Sequence, residues 1–332
     1  MTVNRKVVLV QRPVGEPQAS DFSVEEAELP ELGPEQVLIQ VSHISIDAFI
    51  RTTLEVGGFH ATSALRAPVT ALGVGQVLAS TYASLAAGDW VVGPTLAQTH
   101  ALMPGALFTK VDASAVPPST YLGLLGMTTG LTAYFGMYAI GKVQPGDTVV
   151  VSGAAGAVGT VASQLAKIKG ANVIGIAGGA AKCRYLTETI GLDGAIDYKG
   201  EDVGARLNVL APGGIDVYFD NVGGELLDTV LDRIRMGARV AICGAISQYS
   251  HLTDVRGPKL YLRLAERNAT MGGFTVDHFA SRFGEASAEL IGWMQSGQLA
   301  LPEHVERGIE RFPAALLMLF NGGHMGKLLV AP

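Results

Sequence analysis

The stretch "VVVSGAAGAVGTVASQLAKIKG", residues 149–170, decides the fold, because a run of valines meets a helical pattern through clustered glycines. Extended back to "DTVVVSG" (147–153), the valines spell a buried strand. Past the glycines, Val158, Val161, Ala162, Leu165 and Ile168 share one helical face, and Gly170 supplies the stop. Gly153, Gly156 and Gly159 form GxxGxxG, a spacing with little weight of its own in a chain of 42 glycines. Placement supplies the weight: at Ala157 and Val158 the backbone N–H groups and the positive end of the helix dipole can hold a pyrophosphate. The competing reading is a tight turn that only lets helix and strand pack closely. A Walker-type loop is excluded, since Thr160 follows Gly159 rather than a lysine.

Downstream the alternation continues. "NVIGIAG" (172–178) reads as a second strand, "KCRYLTETIG" as a helix closed by Gly191, and "AIDYK" as a third strand. "IDVYFDNVGG" reads as a fourth strand, "GELLDTVLDRIRMG" as a helix and "RVAICGAIS" as a fifth strand. Continuous Val/Ile runs mark strands buried on both faces, so the pattern predicts an α/β fold with a parallel, doubly wound sheet of Rossmann type. Residues 1–120 differ in texture: "KVVLVQRP", "QVLIQVSHISID", "VGQVLAS" and "GDWVVG" are short β runs broken by turn residues, and they predict an all-β, barrel-like region. In the tail, "FASRFGEASAELIGWMQSGQL" reads as an amphipathic helix, and "FPAALLMLFNGGHMGKLLV" as a helix, a glycine turn and a strand that rejoins the β region.

Composition limits the partners. Of the 332 residues 48% are hydrophobic and 16% charged, against roughly 25% charged in ordinary domains, so a sizeable core is available. A net charge of −6 offers no basic field for nucleic acid or anionic lipid. No apolar run approaches the roughly 20 residues of a spanning helix, and the N-terminus lacks a signal-peptide pattern. The expectation is a soluble, cytoplasmic protein. Cys183 and Cys243 are the two cysteines, and the seven histidines form no HExxH pair, so no metal site is expected.

The ends of the strands hold the candidate ligands. About 20 residues past the glycines, where an acid would bind a ribose 2′-hydroxyl, the sequence has "AGGAAKCRY", with Lys182 and Arg184 and no acid after Gly178. That favours NADP over NAD; a merely solvated Lys182 is the alternative. Tyr198 could close the same pocket or stand exposed. Asn221, after the fourth strand, suits ribose or carboxamide, or a helix N-cap. After the fifth strand come Gly244, Ala245, Ser247 and Tyr249.

"GMTTGLTAYFG", "VVVSGAAGAVG", "DYK", "IDVYFDNVGGELLD", "ICGAISQY" and the terminal "GKLLV" resemble the zinc-independent medium-chain dehydrogenase/reductase superfamily, and within it the NADPH-dependent alkenal/one oxidoreductases. The resemblance implies a Rossmann domain (121–299) inserted in a GroES-like β-barrel domain (1–120 plus 300–332), usually in a homodimer. It implies that Lys182 and Tyr198 hold the 2′-phosphate beside Gly178. Thr132, Asn221, Cys243, Ala245, Ser247, Phe274 and Val276 would line the cofactor cleft, with Tyr249 and His324 beside the nicotinamide. The implied reaction is hydride transfer from NADPH to the β-carbon of a small-molecule enone or enal; quinone reduction on the same fold and a non-catalytic NADPH-binding protein are the alternatives. "ISIDAFIR" resembles the family's SxDPYMR, giving Phe49 and Arg51 as substrate residues, although Phe49 lacks the usual hydroxyl. His324 stands where relatives carry Asn, and Glu266 where they carry a frequently catalytic tyrosine, with Tyr261 about one helical turn away. For the proton donor the reading ranks Tyr249 first, then Tyr261, then His324.

Overall fold

A computed structural model describes residues 3–57, 60–250 and 252–332; His251, one of the seven histidines, lies outside the described residues. The chain divides into two compact units, one of residues 1–123, 250–253 and 303–332, the other of residues 124–249 and 254–302.

The first unit is antiparallel for most of its length. β1 (Val3–Leu9) pairs with β2 (Phe22–Glu28) in a two-stranded ribbon. β3 (Gln36–Ser45), β4 (Gly73–Ser80), β5 (Trp90–Gly93), β6 (His100–Pro104) and β7 (Thr109–Val111) form the larger sheet, in which β3 pairs with both β4 and β6. Val37, Ile39 and Val41 alternate along β3 and pack with Val7 and Leu9 of β1 in the core of this unit. Each such burial stabilises by about 1.5–3 kcal/mol relative to exposure.

The second unit is a parallel sheet of β8 (Thr148–Ser152), β9 (Asn172–Ala177), β10 (Gly194–Asp197), β11 (Ile215–Asp220), β12 (Ile234–Ile242) and β13 (Thr270–Gly273). Its order, β10-β9-β8-β11-β12-β13, is that of a doubly wound dinucleotide fold. Val149, Val150 and Val151 are buried without alternation, as a sheet covered on both faces requires. The helix Ala157–Ile168 buries Val161, Ala162 and Leu165. After this insert the chain returns to the first unit, where β14 (Glu303–Arg307) and β15 (Lys327–Ala331) join the edge of β3. β15 runs antiparallel to β3, Leu329 opposite Ser45.

The helix Val203–Leu210 and the strand β14 go beyond the sequence expectation, and two further stretches differ from it. The helix read through Gly237 ends at Leu231, and β12 begins at Ile234. Gly237 has φ +75°, which a helix interior does not accommodate, and Arg239–Ile242 pair with β11 on one side and β13 on the other. β13 itself, "TMGG", carries no strand signature and was not anticipated.

Candidate active site

β8 and β11 are neighbours, and the crossover from β8 runs outward to β9 while that from β11 runs the opposite way to β12, which opens a crevice at their carboxyl ends. Gly153, first after β8, has φ +58°, a conformation that glycine enters without strain. Asn221, first after β11, is tied to the same place: its Nδ2 donates to Ser152 O at 2.7 Å and its backbone N–H to Ser152 Oγ at 2.9 Å. Gly156 is the N-cap of the helix Ala157–Ile168 and provides no side chain to cover the first-turn N–H groups of Ala157 and Val158. A Cβ on Gly159 would stand 2.3 Å from Gly153 O, so helix and turn touch backbone to backbone. This arrangement fits a pyrophosphate: uncapped donors at a helix start, reached through a turn of glycine and alanine alone.

A buried carboxylate fixes the opposite rim. Asp220 is fully buried, and its Oδ1 accepts from Ser152 Oγ (2.9 Å), Tyr218 Oη (2.8 Å), Val222 N (3.0 Å) and Gly223 N (3.0 Å). Four donors to one acceptor hold the "DNVGG" turn in shape. Ser247 Oγ donates to Val222 O at 2.6 Å, linking the β12 end to this turn. A Cβ on Gly223 would meet Ala245 Cβ at 3.0 Å. Burial, with the Asp220 carboxylate second, pushes the Cys243 thiol up to about 12, so it is no thiolate at neutral pH. Tyr249 Oη accepts Ala245 N–H at 3.2 Å, and burial raises its phenol above the ordinary value. It therefore stays protonated, as a neutral donor must.

At the β9 and β10 ends, Lys182 is half-buried and Tyr198 exposed. Burial, then the nearby charge of Lys199, lowers the Lys182 pKa. Gly178 lies against Tyr198 and Lys199. Thr132 opens the short helix Thr132–Phe135, its Oγ1 donating to Met127 O at 2.7 Å. Phe274 packs toward Gly136 and Phe279, and Val276 begins the 3-10 turn Val276–Arg282. Tyr261 is 58% exposed, and Glu266 is engaged in a surface ion pair with Arg263.

The first unit carries Phe49, Arg51 and His324. Phe49 is half-buried with its ring centroid 5.2 Å from that of His60. Arg51 is fully buried; its Nη2 donates to Gly15 O at 2.7 Å and pairs with Glu55, while Nε and Nη1 meet no partner among the described residues. His324 is buried on the turn before β15. Nearby in sequence, Lys327 Nζ donates to Asp47 Oδ1 at 2.7 Å, a pair almost fully buried. Sequence reasoning did not single out Asp47, Lys327, Lys199 or Asp220. All four stood inside quoted motifs, but their roles depend on burial and on pairing between distant segments.

Two family models match: an N-terminal domain of oxidoreductase over residues 5–111 and a zinc-binding dehydrogenase over residues 157–291. YfmJ of Bacillus subtilis (strain 168), provisionally named an NADP-dependent oxidoreductase, is 39% identical over 98% of this chain and 97% of its own length. The chain belongs to the medium-chain dehydrogenase/reductase superfamily. Another member, the NADP(+)-dependent 2-alkenal reductase of Nicotiana tabacum, is 35% identical over 98% of this chain and 97% of its own. Among solved structures of the superfamily, CurA from Vibrio vulnificus in complex with NADPH superposes with a TM-score of 0.93 at 35% identity, covering 98% of each chain. Although one matching family model is named for zinc, no group of three or more His, Cys, Asp or Glu among the described residues could hold a metal ion.

Proposed function

We propose that this protein reduces the C=C bond of α,β-unsaturated ketones or aldehydes with NADPH. The observation that carries the coenzyme half is the uncapped helix start behind Gly156, with Lys182 at the end of the second strand and no competing acid after Gly178. The 2-alkenal reductase likeness supports the substrate half. Ala157 and Val158 N–H would hold the pyrophosphate, Lys182 and Tyr198 the 2′-phosphate, and Asn221, Ala245 and Ser247 the ribose and nicotinamide side, flanked by Thr132, Cys243, Phe274 and Val276. Bound NADPH supplies the hydride that adds to the β-carbon. Negative charge then grows on the carbonyl oxygen, and a protonated phenol such as Tyr249 stabilises it by donating a hydrogen bond. Arg51, whose buried Nε and Nη1 meet no acceptor among the described residues, is the proposed polar contact of the substrate site, beside Phe49. Tyr261 and His324 remain second and third candidates for delivery of the α-carbon proton. A homodimer is supported by the exposed edge strand β13, where Met271 faces solvent, and a cytoplasmic location by the two free thiols. No helix among the described residues is long and apolar enough to cross a membrane.

The test is NADPH consumption against enals, enones, quinones and alcohols, with and without a chelator. Turnover of enals or enones is expected; activity confined to quinones or alcohols, or none at all, would reject the reading. In that assay Tyr249→Phe should lower kcat roughly 10²-fold with little change in NADPH affinity. Unaltered turnover would pass the donor role to solvent or another residue. Lys182→Ala should raise KM for NADPH by about tenfold or more and leave KM for NADH nearly unchanged. Equal effects on both coenzymes would remove Lys182 from the 2′-phosphate site.

A further inference from the structure

We infer that Lys199 is a second cation of the adenosine 2′-phosphate subsite, acting with Lys182 beside Gly178, and so a determinant of the preference for NADPH over NADH. The inference rests on the NADPH reading above. β9 and β10 are parallel neighbours with Asp197 opposite Ala177, so the residues that follow them emerge side by side at the carboxyl edge of the sheet. Asp197 Oδ1 ties the two loops together, accepting Gly179 N–H at 2.7 Å and Lys199 N–H at 3.0 Å. A Cβ on Gly178 would stand 2.9 Å from Tyr198 Cε1 and 3.0 Å from Lys199 Cε. The tyrosine ring and the lysine stem thus lie over the bare backbone of Gly178, and a side chain there would push them aside.

Two lysines meet at this corner, with Asp197 as the opposing acid nearest Lys199. Lys199 acts on Lys182 as a like charge, the second cause of its lowered pKa after burial. Neither lysine has an ion-pair partner among the described residues. Of the local acids, Asp197 accepts the two backbone N–H groups and also feels the charge of Lys199, whereas Glu201 accepts Asp197 N–H at 2.9 Å and pairs with Arg206 at 2.9 Å. Two ammonium groups held near each other repel, and a phosphomonoester carrying about −1.5 to −2 charge converts that repulsion into attraction. The neutral 2′-hydroxyl of NADH cannot. The corner is therefore complementary to a dianion.

The experiment is equilibrium titration of the full chain with NADPH and with NADH, for wild type, Lys199→Met, Lys199→Arg and Lys182→Ala, each checked for wild-type thermal unfolding. Lys199→Met is expected to weaken NADPH roughly tenfold, to change NADH by less than about twofold, and to flatten the salt dependence of NADPH binding. Lys199→Arg should keep most of the preference, since the charge survives. Lys199→Met that leaves both affinities intact, or weakens both equally, overturns the assignment. If Lys182→Ala abolishes the preference while Lys199→Met preserves it, only Lys199 is removed and the NADPH reading stands. A wild-type chain that binds neither coenzyme removes both.

Discussion

Gly159→Ala is expected to lower stability and NADPH affinity together, although it adds a single methyl group. That carbon would stand 2.3 Å from Gly153 O and 2.7 Å from Ala154 Cα, well inside contact distance and against backbone that cannot rotate aside. The turn must open, which costs about 1–3 kcal/mol and occasionally more. Opening it also moves the first-turn N–H groups of Ala157 and Val158, so NADPH affinity should fall by about tenfold or more. Urea unfolding and NADPH titration measure the two losses. A variant with the wild-type midpoint and affinity would show that the turn has room to spare and that the phosphates are held elsewhere.

The largest loss of stability in the first unit is expected from Asp47→Ala. The Lys327 ammonium is 1% exposed and donates to Asp47 at 2.7 Å, so the substitution removes the carboxylate that balances a buried cation. Removing one member of a buried pair costs about 3–5 kcal/mol, whereas replacing both with apolar residues of similar volume is often nearly neutral. The double variant Asp47→Ala/Lys327→Met should accordingly recover most of what the single one loses, and denaturant unfolding of the set gives the coupling directly. An Asp47→Ala protein as stable as wild type would mean that Lys327 finds compensation from other groups. The pair joins the segment of Phe49 and Arg51 to the strand that follows His324, so if the proposed substrate site is right, NADPH-dependent reductase turnover by the single variant should fall beyond what its folded fraction explains.

Much of this was legible in the sequence because the signals were local. "TVVV" and "NVIGI" announce strands covered on both faces, and Gly153, Gly156 and Gly159 sit where a strand gives way to an amphipathic helix. What escaped depends on contacts between distant segments. Lys199 matters only once β10 lies beside β9 and brings its stem over Gly178. Asp220 looks like an ordinary acid in "FDNVGG" until burial and four converging donors show it to be the anchor of the turn. The helix read through "DRIRMG" fails for the same reason: its 3.6-residue pattern is real, but pairing of Arg239–Ile242 on both sides outweighs it. Phe49, Arg51 and His324 were named from resemblance alone, and no periodicity or spacing in their neighbourhood would have found them.

The interrupted order of the first unit also sets a timetable for its assembly. During translation β3 leaves the ribosome long before β15, because residues 124–302 are made in between and hold every strand of the parallel sheet. The entropy of closing so long a span grows only slowly with length, so waiting time rather than equilibrium is the handicap. Until β15 arrives, the Ile44–Ser45 end of β3, beyond the stretch that β6 covers, is open to foreign strands, and the carboxylate of Asp47 has no lysine to meet. A single late segment thus both seals that end and neutralises the acid, which makes the nascent chain most vulnerable to aggregation just before that segment emerges.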